Sequence, residues 1–201
     1  MAKRSSTEEL DKSFEILVIG ASLGGLKAFE IILSALPGDF QLPIAIVQHR
    51  DKDPDNKLTE VMQSFTALAV KEVEDKEPIL PGRVYLAPPD YHLLIDQGFF
   101  GLSTEAPVSY ARPSIDVLFE TASDAYAEKV IGVVLAGANK DGARGAARIK
   151  ERGGIVLVQD PDTAEIGVMP RAAIEATKVD GIMLLPEIAP FLINLTRNIR
   201  R

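Results

Sequence analysis

Cysteine is absent from this chain of 201 residues, and so is tryptophan. The first absence removes disulfides, thiolate metal sites and a cysteine nucleophile together. Histidine is scarce: only His49 and His92 occur, so imidazole chemistry has two candidate positions. No apolar run approaches the roughly 20 residues that a membrane-spanning helix needs, and the N-terminus lacks the apolar core of a signal peptide. No basic patch stands out either. The formal net charge is −7, which disfavours a polyanionic partner such as nucleic acid. These gaps point to a cytoplasmic protein with no nucleic-acid partner and no direct membrane insertion.

What remains suits a globular domain. Apolar residues make up 46% and charged residues 25%, an ordinary balance for a chain long enough to bury a real core. Residues 1–13 are polar and read as a flexible lead-in. Residues 14–201 read as one domain without internal repeats. Strand candidates fall at 15–19, 44–49, 67–70, 84–87, 131–136, 155–158 and 182–185. Several are unbroken apolar runs, as expected of strands buried on both faces. Helical spacing recurs in Leu26, Phe29, Leu33 and Leu36, in Leu58, Val61, Met62 and Phe65, and in Ile115, Leu118, Phe119 and Ala122. Ser114 is placed to cap the third of these. Further helices are expected over 143–152, 170–177 and 187–198. One excursion, 91–102, reads as a β-hairpin around Asp96-Gln97-Gly98. The expected architecture is α/β: a doubly wound, mainly parallel sheet in a Rossmann-like three-layer arrangement, with that hairpin added.

Ligands of open α/β sheets bind beyond the carboxyl ends of the strands. The polar residues that follow strands therefore matter most. Ser22 follows the first, in the turn Gly20-Ala21-Ser22-Leu23-Gly24-Gly25. Gln48-His49-Arg50-Asp51 follows the second. Asn139-Lys140-Asp141 and Gln159-Asp160 follow two later ones. Serine, histidine and aspartate at one edge are the inventory of nucleophilic acyl transfer. Ser22 needs a base, which His49 supplies. The imidazole needs a partner to hold its tautomer, and Asp141 is the candidate, with Asp116 and Asp160 competing. The glycines around Ser22 let backbone N–H groups face a developing oxyanion, with one more donor expected from residues 137–139. Other readings stand beside these. Ser22 is also placed to cap a helix, and its turn also suits a nucleotide pyrophosphate, although Ser22 occupies a position where that motif wants glycine. Asp141 also suits a helix N-terminus. His92 reads as structural or rim-lining, Arg112 as a group able to steer an acidic surface, and 51–56 as a solvated acidic loop with at most weak cation binding. No cofactor and no metal is called for.

These segments together resemble the catalytic domain of the chemotaxis receptor protein-glutamate methylesterases. Val18-Ile19-Gly20-Ala21-Ser22-Leu23-Gly24-Gly25 is similar to the nucleophile segment and Ile46-Val47-Gln48-His49 to the histidine segment. Leu86-Ala87-Pro88-Pro89-Asp90-Tyr91-His92 and Arg112-Pro113-Ser114-Ile115-Asp116 resemble two more. Asn139-Lys140-Asp141-Gly142-Ala143 resembles the aspartate segment, and Gln159-Asp160-Pro161 through Val168-Met169-Pro170-Arg171 the C-terminal signature. The resemblance implies a triad of Ser22, His49 and Asp141. It implies hydrolysis of glutamate γ-methyl esters on cytoplasmic chemoreceptor helices, with release of methanol. Deamidation of receptor glutamines by the same triad is the alternative activity, and a catalytically weakened receptor-binding module the non-enzymatic one. Leu23 stands where the family usually has threonine, and Ala136-Gly137-Ala138-Asn139 where it usually has Thr-Gly-Met-Gly. No receiver domain precedes residue 14, so the resemblance leaves regulation to a separate protein.

Overall fold

The computed structural model describes residues 13–49 and 57–197. The expected lead-in, apart from Ser13, lies outside these residues, and so does the acidic loop 51–56. Seven strands form one sheet in the order β3-β4-β2-β1-β7-β8-β9, and every pairing in it is parallel. They are β1 (Ile16–Ala21), β2 (Ile44–Gln48), β3 (Ala69–Glu72), β4 (Arg83–Leu86), β7 (Val130–Val134), β8 (Ile155–Gln159) and β9 (Gly181–Met183). The expected hairpin is present as β5 (His92–Asp96) paired antiparallel with β6 (Phe99–Ser103).

The central strands are apolar on both faces because both faces are covered. Leu17 and Ile19 of β1 pack with α1 (Gly25–Ala35), α6 (Leu185–Arg197) and Met62 of α2 (Lys57–Gln63). Ile16 and Val18 pack with α3 (Ile115–Tyr126), α4 (Ala143–Glu151), α5 (Val168–Ala176) and the hairpin. Alternation along one strand thus feeds two cores, the three-layer arrangement expected of a doubly wound sheet.

Several boundaries move from the expected ones. β3 starts two residues late because Gln63 holds the approach: its Nε2 donates to the carbonyls of Thr66 and Leu68, and its Oε1 accepts from Val70 N–H. α5 begins at Val168, two residues before Pro170, a position where a first-turn proline loses no helical hydrogen bond. β9 is shorter than the apolar run 182–185 because Leu185 already opens α6.

The chain order sets where a ligand fits. From β1 the connection runs to β2 on one side, whereas β7, on the other side of β1, leads on to β8. The connections leaving β1 and β7 diverge, so a crevice opens between their carboxyl ends.

Candidate active site

Three segments meet at that crevice. The β1–β7 ladder continues past the strands through Ser22 N–H to the Ala136 carbonyl at 2.9 Å. The β1–β2 ladder continues through His49 N–H to the Ala21 carbonyl at 3.0 Å. Gln48 ties the two turns together: its Nε2 donates to the Ser22 carbonyl at 2.8 Å and to the His49 carbonyl at 2.9 Å. Gly24, at φ +85°, makes the left-handed turn that α1 needs at its start. Ser22 does not cap that helix with its hydroxyl. The capping position is Gly24, which has no side chain to offer.

Asp141 follows β7 and is completely buried. Its carboxylate chiefly serves α3 and takes only the N-cap amide of α4, the helix it precedes in sequence. Oδ2 accepts from Ile115 N–H at 2.7 Å, and Oδ1 accepts from Asp116 N–H at 3.0 Å and from the Ser114 hydroxyl at 2.9 Å. Gly142 N–H also donates to Oδ1, at 3.0 Å. The expected cap Ser114 therefore makes no side-chain bond to its own helix. Its hydroxyl orients a carboxylate that does the capping from another loop. Close approach at Gly20 permits this, since a Cβ there would lie 2.3 Å from Ile115 Cγ2. The first turn of α3 consequently presses onto β1 and aims its free N–H groups at Asp141.

His49 completes the pair. Its Nε2 lies 2.8 Å from Asp141 Oδ2, with the ring side chain 13% exposed and the carboxylate not at all. Burial is the largest influence on Asp141 and pushes its pKa up. The bond from His49, the N–H groups of Asp116 and Ile115, and the imidazole charge together outweigh it, so its carboxyl lies below the ordinary carboxylate value. An ionised carboxylate only accepts, so Nε2 carries a proton, and in the neutral ring Nδ1 presents a lone pair. Asn139 Nδ2 lies 3.4 Å from that Nδ1. Ser22 and His49 line one cleft of about 640 Å³, shared with Leu23, Tyr110, Arg112 and Asn139. Among the described residues the Ser22 hydroxyl makes no hydrogen bond, so Ser22 and His49 share the cleft without being joined in it.

The competing acids sit elsewhere. Asp116 Oδ1 accepts Gly145 N–H at 2.8 Å, at the start of α4. Burial raises its pKa, against the Gly145 bond, and the nearby Asp141 charge adds to the rise. Asp160 Oδ1 accepts Asp162 N–H within its own loop. His92 is buried: its Nε2 faces the Ala106 carbonyl at 3.1 Å, and its Nδ1 accepts Ser114 N–H at 3.2 Å. The expectation of an oxyanion donor at residues 137–139 needs narrowing, since Gly137 N–H is committed to the Ile166 carbonyl. The N–H groups of Leu23 and Gly24 have no acceptor among the described residues. Arg112 reaches the cleft rim but turns its Nη1 onto the Thr104 and Glu105 carbonyls. Three participants escaped the sequence reading: the Gln48 amide, the Ser114 hydroxyl and the Asn139 amide. All three sit in segments already singled out, but nothing in one-dimensional spacing tells which way an amide points. No group of histidine and acidic side chains suited to a metal ion occurs among the described residues, and no described helix is long and apolar enough to cross a membrane.

A parallel α/β sheet with a histidine–carboxylate pair, a serine and a glycine turn at one switch-point crevice defines a hydrolase-type site. The chain belongs to the CheB methylesterase family, whose model matches residues 17–192. A protein of Leptospira interrogans, provisionally named for protein-glutamate methylesterase/protein-glutamine glutaminase activity, is 50% identical over 187 residues, 92% of this chain and 97% of the relative. A protein-glutamate methylesterase/protein-glutamine glutaminase of Anaeromyxobacter dehalogenans is 40% identical over 91% of this chain, which spans 54% of that longer relative. The crystal structure of the Thermotoga maritima CheB methylesterase catalytic domain superposes with a TM-score of 0.86 at 36% identity, covering 91% of this chain and 99% of that one.

Proposed function

We propose that this protein hydrolyses glutamate γ-methyl esters on the cytoplasmic helices of chemoreceptors, with Ser22 as nucleophile, His49 as base and Asp141 as its orienting acid. The observation that carries the reading is the 2.8 Å contact of His49 Nε2 with the buried Asp141 carboxylate, in a histidine that lines the same cleft as Ser22. The names of the relatives agree with it.

Ser22 Oγ attacks the γ-carbonyl carbon while its proton passes to His49 Nδ1. The ring then holds protons on both nitrogens, and Asp141 stabilises its charge. The oxyanion faces the N–H groups of Leu23 and Gly24, which have no acceptor among the described residues. Collapse breaks the ester C–O bond, and the leaving oxygen takes the Nδ1 proton and departs as methanol. Water then attacks the acyl carbon and gives a proton to Nδ1; the acyl C–Oγ bond breaks, Oγ takes that proton back, and Ser22 and a free glutamate are restored. A receptor glutamine follows the same course with ammonia as leaving group.

Methylated receptor incubated with the protein should release methanol, and Ser22→Ala should lower the rate by about 10³-fold or more. Equal release by Ser22→Ala would overturn the assignment. Receptor binding without fluorophosphonate labelling of Ser22 would instead favour a binding module.

A further inference from the structure

We infer that Asn139 is a positioning residue that restrains the base: its side-chain amide covers His49 Nδ1, the nitrogen that must take the Ser22 proton, and yields it only when Ser22 engages. The inference rests on the triad reading given above and concerns how that site is held before reaction.

The direction of the Asn139 amide is fixed by its surroundings. Its Oδ1 accepts Asp141 N–H at 3.1 Å. Turning the amide over would set NH₂ against that N–H, donor against donor. Nδ2 therefore points to His49, 3.4 Å from Nδ1. His49 Nε2 donates to Asp141 Oδ2, so Nδ1 is the acceptor side of the ring. The three residues close a loop: Asp141 N–H to Asn139, Asn139 N–H to His49, His49 N–H to Asp141. Each donor and acceptor in that loop is matched only while the ring is neutral. Once Nδ1 holds a proton it faces a second donor, and the amide must turn away.

The serine side agrees. Ser22 Oγ has no hydrogen-bond partner among the described residues, although Ser22 lines the same cleft as His49 and Asn139. The lone pair that would receive its proton is already in use. The contact is long for a hydrogen bond, so it is a weak restraint that a bound ester can displace. It holds the imidazole in the productive tautomer while keeping the hydroxyl inactive in an empty cleft. Asn139 is half-exposed, so its amide has room to swing towards solvent.

The test uses two readouts on the whole chain. The first is the second-order rate at which a fluorophosphonate labels Ser22, measured without receptor. Removing one weak hydrogen bond from the competing side should speed labelling about three- to tenfold in Asn139→Gly and Asn139→Ala. The second is the ¹⁵N shift of His49 Nδ1, assigned with the aid of a His92→Gln variant. It should move towards the value of an unbonded imidazole nitrogen in both Asn139 variants, while Nε2 keeps its proton. Unchanged labelling with normal wild-type reactivity, or slower labelling, overturns the restraint. An unchanged Nδ1 shift also overturns it, whatever the labelling does. Absence of labelling in all three proteins overturns the nucleophile assignment itself, and is thereby distinguished from failure of the restraint alone.

Discussion

At the scale of single residues, the site depends on one buried carboxylate with several donors and on one hydroxyl with no partner among the described residues. Asp141→Asn replaces an acceptor by an amide whose NH₂ must face an N–H of α3 or the imidazole. The expected cost is about 2–4 kcal/mol of stability at neutral pH, with activity down by about 10³- to 10⁴-fold. Its pH dependence follows from the lowered pKa of Asp141. A carboxyl whose folded value is depressed stabilises the fold above its unfolded value of about 3.9, and loses that contribution as pH falls through the folded value. The gap in urea midpoint between wild type and Asp141→Asn should therefore narrow as the pH falls below about 4, and a gap that stays constant on acidification would contradict this. Ser22→Ala makes the opposite case. Its hydroxyl bonds to nothing among the described residues, so thermal unfolding should shift by no more than about 0.5 kcal/mol while methanol release is lost. A large fall in melting temperature would recast Ser22 as structural.

At the scale of elements, the strand–turn–helix unit β1–α1 sets the position of Ser22 through close packing at Gly25. A Cβ there would lie 2.1 Å from Gln48 Oε1 and 2.7 Å from Ala21 Cβ. Gly25→Ala must displace the Gln48 amide, which links the Ser22 and His49 carbonyls. Crowding of this kind costs about 1–3 kcal/mol, and activity should fall with stability. Full activity in a stable Gly25→Ala protein would show that the Gln48 bridge is dispensable. The same unit shows what spacing reveals and what it hides. The apolar runs announced β1, β2, β7 and β8 because strands buried on both faces leave an unbroken signature. Ser22, His49 and Asp141 could be singled out because each lies in the loop after such a run, and the contact of His49 with Asp141 is present. The capping of α3 was not legible, since Ser114 has the sequence of an N-cap and its hydroxyl serves Asp141 instead. Only the close approach at Gly20 brings that carboxylate within reach, and a contact between residues so far apart in sequence leaves no local trace. The edge strand β3 was misplaced by two residues for a related reason: the Gln63 side chain, not the apolar pattern, decides where pairing starts.

At the scale of the molecule, the two cores share one sheet. Leu17 and Ile19 belong to one, and Ile16 and Val18, their neighbours in β1, to the other. Neither core can be lost while the other keeps its strand, because the same backbone ladder supports both. The site adds a further tie: Asp141, from the loop after β7, accepts from α3 on one face, and His49, from the end of β2, donates to it. Unfolding of either layer would leave a buried carboxylate without its donors, at a cost of several kcal/mol. The described domain should therefore unfold in urea as one cooperative unit. Tyrosine fluorescence, which samples the buried Tyr85 beside Phe100 in the hairpin-side core, should trace the same transition as far-ultraviolet circular dichroism. Two separated midpoints would mean that one layer melts while the sheet survives, and the Ser22–His49–Asp141 crevice would then be held by fewer elements than the hydrogen bonds across it imply.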